Sequence, residues 1–191
     1  MLEILSIKNK ANKYLITFED NAELLLVTDV MIKHDLYVGK KVSVEKLTKD
    51  NDYFIVLDKA IRKCLKPLTV NETLVYLNEI ILEETLKNRV LKTLKEYFLD
   101  DKKIIELITF NKNYSKRQLK EVLEKRLVHE ELIISYLKEY DESIACQIIF
   151  DKQIRIYLKK YSQKEALNKT LKSLKRKGFE SLSELNLDKE N

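Results

Sequence analysis

The chain has 191 residues, 36 of them basic and 31 acidic, for a net charge of +5. Hydrophobic residues make up 45%, enough for a packed core, while 2 glycines, 1 proline and no tryptophan suit long helices. Two glycines so far apart exclude a glycine-rich phosphate loop, and Cys64 and Cys146 have no metal-type spacing.

The first fifty residues read as short strands. Leu2–Lys8, Lys13–Glu19 and Glu23–Thr28 are rich in Ile, Leu, Val, Tyr or Thr and are separated by polar turns. Tyr14, Ile16 and Phe18 alternate with Lys13, Leu15 and Thr17, the period of a half-buried strand. Asp20-Asn21 fits a hairpin turn. Asp29 is placed to cap a short helix through Leu36, and Gly39 to turn the chain before Val42 and Val44. A sheet this small needs a helical neighbour to be stable.

From about Asp52 the apolar spacing changes to 3.6. Ile55, Ala60, Ile61, Cys64 and Leu65 open a helix that must stop near Pro67. Three capping boxes follow: Thr69–Glu72, Ser115–Gln118 and Ser162–Glu165, spaced by 46 and 47 residues. Each opens a leucine-striped helix: Leu74 and Leu77; Leu119, Leu123 and Leu127; Leu167, Leu171 and Leu174. A second helix follows the first two, at Glu83–Phe98 and Glu130–Tyr140, and each ends close to an identical LKEY followed by acidic residues. Further helices at Lys102–Asn111 and Ile144–Tyr161 precede the later capped ones. The expected fold is therefore mainly α: three tandem three-helix repeats in an elongated curved array, preceded by a small β-rich N-terminal domain. The boundaries are 1–50 for the β-rich domain, 51–101, 102–143 and 144–191 for the repeats, the last with a short acidic tail.

Charge is uneven along the chain. Residues 68–101 carry net −3, residues 111–126 net +4, residues 150–178 net +8, and the last thirteen net −3. The cations are Lys116, Arg117, Lys120, Lys125 and Arg126 on the second capped helix, and Lys152, Arg155, Lys159, Lys160 and Lys164 before the third. Lys169, Lys172, Lys175, Arg176 and Lys177 follow on the third. From charge alone a solvated face and a surface for a polyanion or acidic partner are equally compatible.

Tyr97-Phe98-Leu99-Asp100-Asp101, Tyr114-Ser115-Lys116-Arg117-Gln118-Leu119 and Leu174-Lys175-Arg176-Lys177-Gly178-Phe179 follow one another along the chain. In that order they resemble the RecX family, bacterial regulators of the RecA recombinase. At the N-terminus, Asp29–Lys33 and Val38-Gly39-Lys40 look like the β-rich extension of the longer members. The first capped helix, Thr69–Ile80, has no basic residue, and the second ends at Leu127 rather than at a glycine. The resemblance implies a non-enzymatic regulator that lies in the groove of the RecA–DNA filament and mainly inhibits recombination and ATP turnover. It assigns RecA or DNA contact to these lysines and arginines other than Lys169. The partners it implies are RecA and single- or double-stranded DNA. The second reading is a stand-alone DNA-binding protein without RecA.

Catalytic readings are thin. His34 and His129 lack Cys or His neighbours at ligand spacing. Asp100 and Asp101 fit either a nuclease metal pair or the cap of the next helix, and adjacency on a helix favours the cap. Tyr97, Tyr136 and Tyr140 fit core packing better than base stacking, and Tyr114 and Tyr161 fit the residue before a cap in a hydrophobic staple. No enzyme activity, cofactor or metal is expected. Absence of a long apolar run in MLEILSIKNK or elsewhere leads to the expectation of a cytoplasmic monomer with no membrane segment.

Overall fold

The structure, a computed structural model, describes residues 1–185. The charges of the tail at Asp188, Lys189 and Glu190 lie outside the described residues. The chain divides into two compact units, one comprising Met1–Lys66 with Thr73–Leu99 and the other Pro67–Glu72 with the chain from Asp100 onward.

The first unit starts with an antiparallel sheet of β1 (Leu2–Lys10), β2 (Lys13–Phe18), β3 (Glu23–Val27) and β4 (Lys41–Val42), in the order β3-β2-β1-β4. Ile7, Ile16 and Leu24 lie opposite one another across three strands, and a bulge between Ile4 and Ser6 adjusts the register. The hairpin at Asp20-Asn21 forms as the sequence indicates. Asn21 takes a positive φ of 64°, and Asp20 Oδ1 accepts the Ala22 N–H at 2.9 Å.

The sheet buries Ile4, Ile16, Phe18 and Leu26 against Val30 of α1 (Thr28–Lys33) and Leu47 of α2 (Val44–Cys64). Asp29 lies in the first turn of α1, where its charge suits the dipole, but it is not the cap; Val27 holds that position. α2 begins well before Asp52, so Val44 is helical rather than extended. Ser43 caps it by accepting the Lys46 N–H at 3.4 Å. Its early turns bury Leu47 together with Asp50 and Asn51, and those two polar residues interrupt the apolar stripe that would have marked the helix.

Both buried polar residues have partners. Asn51 accepts the Val27 N–H at 2.9 Å and donates to the Leu25 carbonyl at 3.3 Å, covering the free edge of β3. Asp50 accepts from His34 Nε2 at 2.7 Å and from Arg89 at 3.0 Å, and pairs with Lys33 at 2.8 Å. Burial alone would raise the Asp50 carboxyl, but hydrogen bonds from Lys33, His34 and Arg89 and the charge of Lys33 outweigh it and hold it far below the ordinary range. Arg89 belongs to α4 (Glu84–Tyr97), so this cluster ties α1, α2 and α4 together. Val90 and Leu94 of α4 are fully buried, as is Leu77 of α3 (Val70–Ile80). Tyr97 and Phe98 depart from the expected core face: they are 68% and 52% exposed, because α4 ends at Tyr97 and the chain turns away there.

The second unit holds α5 (Asp101–Thr109), α6 (Lys116–Lys125), α7 (Glu130–Glu139), α8 (Ser143–Leu158), α9 (Gln163–Arg176) and a short 3-10 turn at Leu182–Glu184. Ile105, Leu119, Leu123, Val128 and Ile133 form one core, joined by half-buried Tyr114, Tyr136 and Tyr140. Tyr114 and Leu119 thus form the expected staple. Tyr161 is 40% exposed and packs beside Tyr157 instead, with Lys169 over its ring at 4.3 Å. Cys146, Phe150, Ile154, Ala166 and Leu174 lie in a second core between α8 and α9. Each fully buried leucine here contributes roughly 1.5–3 kcal/mol. The chain is thus mainly helical, with a small N-terminal sheet, as the spacing of its apolar residues indicates.

Candidate functional site

All three capping boxes form, and their reciprocal bonds are complete. Thr69 N donates to Glu72 Oε2 at 2.8 Å while Glu72 N donates to the Thr69 hydroxyl at 3.1 Å. Ser115 and Gln118 repeat this at 3.3 and 3.1 Å, and Ser162 and Glu165 at 3.3 and 3.4 Å. Two of these hydroxyls do more. Thr69 Oγ1 donates to the Arg126 carbonyl at the end of α6, at 2.8 Å. Ser115 Oγ donates to the Lys177 carbonyl at the end of α9, at 2.6 Å. The start of each of the first two capped helices is therefore bonded to the end of the capped helix one repeat later.

The acidic residues after each LKEY complete the same joint. Asp100 caps α5 by accepting the Lys102 and Lys103 N–H groups at 3.0 and 3.3 Å. Asp101 reaches back to the Val70 N–H at 2.8 Å. In the next repeat Asp141 accepts the Ser143 N–H at 2.8 Å, and Glu142 reaches back to the Lys116 N–H at 2.6 Å. The first acid serves the helix ahead and the second serves the capped helix behind. Glu142 also accepts from Glu180 N and Ser181 N at 2.7 and 3.2 Å, and it is only 2% exposed. Sequence reasoning assigned Asp100 and Asp101 together to the cap of the next helix; Asp100 has that role, Asp101 serves Val70 behind it instead, and Glu142 and its partners were missed. The signal was present as the paired acids at 100–101 and 141–142, both just after LKEY.

These joints occupy several of the candidate cations. Arg126 donates to both Glu72 oxygens at 2.6 and 3.0 Å and to the Pro67 carbonyl at 2.6 Å. Burial would raise the Glu72 carboxyl, yet Arg126 and the Thr69 N–H outweigh it and hold it below its usual value. Arg117 donates to the Arg176 carbonyl at 2.7 Å, where a cation also suits the C-terminal dipole of α9. Lys177 is half-buried and holds Ser115 through its carbonyl. α9 ends in a Schellman turn, with Phe179 N to Leu174 O at 3.2 Å and Gly178 N to Lys175 O at 3.0 Å. Gly178 is required there: its φ is 84°, and a Cβ would stand 2.8 Å from Arg117 Nε.

The other cations point to solvent. Lys152, Arg155 and Lys159 are exposed and recur at i, i+3 and i+7, so they share one face of α8. Lys160 and Lys164 flank the turn into α9, and Lys169, Lys172, Lys175 and Arg176 are exposed along it. Lys125 is exposed at the end of α6, and Lys120 stands 3.7 Å from Glu124. Lys116 is half-buried and faces a groove together with Lys120. The helix pair α8–α9 therefore presents a dense set of cations without carboxylate partners among the described residues, an arrangement able to attract phosphate or carboxylate groups.

His34 is bonded to Asp50, and His129 is the exposed residue preceding α7. Among the described residues no cluster of three His, Cys, Asp or Glu side chains is arranged to hold a metal ion. Among them, too, no helix is long and apolar enough to cross a membrane.

No protein-family model matches the chain, and no curated protein matches it. Among solved structures it is similar to one described as the crystal structure of regulatory protein RecX. The TM-score is 0.69 at 16% identity, over 95% of this chain and 96% of that chain. At that identity the likeness shows a shared fold.

Proposed function

We propose that this chain is a RecX-like regulatory protein that binds the RecA–DNA filament in its groove and inhibits RecA's recombinase and ATPase activities during recombination and DNA repair. The observation that carries this reading is a shared fold with a RecX protein over nearly the full length of both chains. The exposed cations of α8 and α9 supply the chemistry the role needs, contact with DNA phosphates and acidic protein surface. Contacts to successive protomers gain by multivalency, so individually weak pairs suffice.

The test is binding to single-stranded DNA, bare and coated with RecA in the presence of a slowly hydrolysed ATP analogue, with RecA's ATPase followed in parallel. The variant carries Lys152→Glu, Arg155→Glu, Lys159→Glu and Lys172→Glu, four exposed residues outside the repeat joints. Tighter binding to the coated filament, ATPase inhibition, and loss of both in the variant support the reading. Equal binding to bare and coated DNA with unchanged ATPase leaves a stand-alone DNA-binding protein.

A further inference from the structure

We propose that the groove between α6 and α7 binds an acidic, leucine-bearing peptide segment of a protein partner. The groove has a volume of about 920 Å³, near the top of the range of roughly 300–1,000 Å³ common for ligand sites. Lys116, Lys120 and Glu124 line one wall at i, i+4 and i+8 of α6. Ile133, Ile134 and Leu137 of α7 line the other, and Leu127 and Val128 close the turn between them. The lining is thus aliphatic with a polar rim. Ile134 and Leu127 are 47% and 43% exposed, although the cores beside them leave other leucines fully buried.

Leu127 carries a second indication. It follows Arg126, the C-terminal cap of α6, in a Schellman turn, with Leu127 N to Glu124 O at 2.9 Å and Val128 N to Leu123 O at 3.1 Å. Its φ is 53°, the left-handed region where glycine is favoured and a leucine costs about 1–2 kcal/mol. The matching position at the end of α9 is Gly178. The main chain is held there by these bonds and by Asn71 Nδ2, which donates to the Leu127 carbonyl at 2.8 Å, while the side chain stays 43% exposed. A ligand side chain in the groove supplies the missing contact.

Charge selects the ligand's class. Glu124 already faces Lys120 at 3.7 Å. Lys116 opens α6, Lys138 lies in the last turn of α7, and neither is bonded to a carboxylate among the described residues. Glu130 lines the groove as well, so three lysines stand against two glutamates, and the surplus positive charge favours acidic groups beside an apolar insert. Nucleic acid fits poorly, because the largely aliphatic walls offer a base only the single ring of His129 to stack on. A small anion would leave the aliphatic walls uncovered. A peptide with leucines on one face and aspartate or glutamate on the flanks satisfies both features, in the helix-in-groove manner. The inference concerns the groove's own chemistry and does not depend on which protein carries the segment.

The experiment titrates the full chain with a fluorescent peptide bearing leucines at i, i+3, i+4 and i+7 and acidic residues elsewhere. Two comparison peptides replace the acids by lysine or the leucines by serine. Saturable binding of the acidic peptide alone is expected, weakened roughly tenfold by Ile134→Asp and again by Lys116→Glu with Lys138→Glu, about 1.4 kcal/mol at each step. Ile134 and Lys138 are exposed and Lys116 is half-buried beside Glu142, so circular dichroism checks that the variants fold and Lys138→Glu alone serves as the second charge variant. Leu127→Gly is expected to weaken the peptide without lowering the melting temperature, which separates a ligand role from a packing role. Absence of saturable binding, equal binding of the lysine peptide, or indifference to the variants overturns the proposal. So does a dimer of the free chain in sedimentation that Ile134→Asp dissolves, since the groove's occupant is then a second copy.

Discussion

Glu142 gives the sharpest test of the repeat joint. Its carboxylate is 2% exposed and accepts three backbone N–H groups, from Lys116, Glu180 and Ser181 at 2.6, 2.7 and 3.2 Å. A hydrogen bond to a charged acceptor is worth roughly 1.5–3 kcal/mol net. Desolvation of the buried charge offsets a large part of three such bonds. Truncation removes the acceptor and leaves the donors behind, so Glu142→Ala should cost about 3–5 kcal/mol. Glu142→Gln keeps one acceptor oxygen but turns an NH2 towards a donor, and should cost about 2–3 kcal/mol. Asp101 is the internal control: it sits at the equivalent joint, half-buried, with one such bond at 2.8 Å. Asp101→Ala should cost only about 1–1.5 kcal/mol. The assay is urea unfolding combined with amide hydrogen exchange. Exchange at Lys116, Glu180 and Ser181 should accelerate by about a hundredfold in Glu142→Ala, the equivalent of roughly 2.8 kcal/mol. If Glu142→Ala costs no more than Asp101→Ala, the bond count does not set the strength of the joint and the reasoning fails.

Three further outcomes follow from the same geometry. Gly178→Ala should lose about 2–3 kcal/mol, combining a left-handed penalty with a displaced Arg117 and its bond to the Arg176 carbonyl; a thermal melt showing less than about 1 kcal/mol would refute the close approach. Arg126→Lys should cost about 1–2 kcal/mol in urea unfolding, since an ammonium cannot hold both Glu72 oxygens and the Pro67 carbonyl at once. Asp50 has a depressed carboxyl, so its contribution is present above its unfolded pKa and is lost as the pH falls towards its folded one. Stability measured between about pH 5 and pH 2 should decline, and the decline should be shallower in Asp50→Asn; an unchanged slope would remove Asp50 from the account of acid sensitivity.

Elements whose chemistry is local were legible in the sequence. Each capping box needs only a hydroxyl and a Glu or Gln three residues on, and all three form as read. The Asp20-Asn21 hairpin is equally local. The start of α2 was hidden because Asp50 and Asn51 occupy buried positions of its stripe, and their partners Lys33, His34 and Arg89 are distant in sequence. Tyr97 was misplaced because helical periodicity continues to the end of α4, while the exposure of its last turn depends on where the chain goes next. The groove was not visible at all. Leu127 belongs to the leucine stripe of α6 by spacing, and only its left-handed backbone turns it out of that stripe.

The joints also change which basic residues can report on function. Charge density alone treats Arg117, Arg126 and Lys177 as equal to Lys152 or Lys172. Their roles differ in the structure: Arg126 holds Glu72, Arg117 holds the end of α9, and the Lys177 carbonyl receives Ser115. Reversal at Arg126 would leave Glu72 facing a second carboxylate and would loosen the start of α3 along with any ligand contact. Loss of binding in such a variant would say nothing about phosphate recognition. Lys152, Arg155 and Lys159 share an exposed face of α8 and support no joint, so their reversal changes the field at little structural cost, within about 0.5 kcal/mol. For a true phosphate contact the slope of log affinity against log salt should also fall, by nearly one for each cation removed. A weaker affinity at unchanged slope would mean that α8 meets its partner through protein, and that its cations face carboxylates rather than DNA.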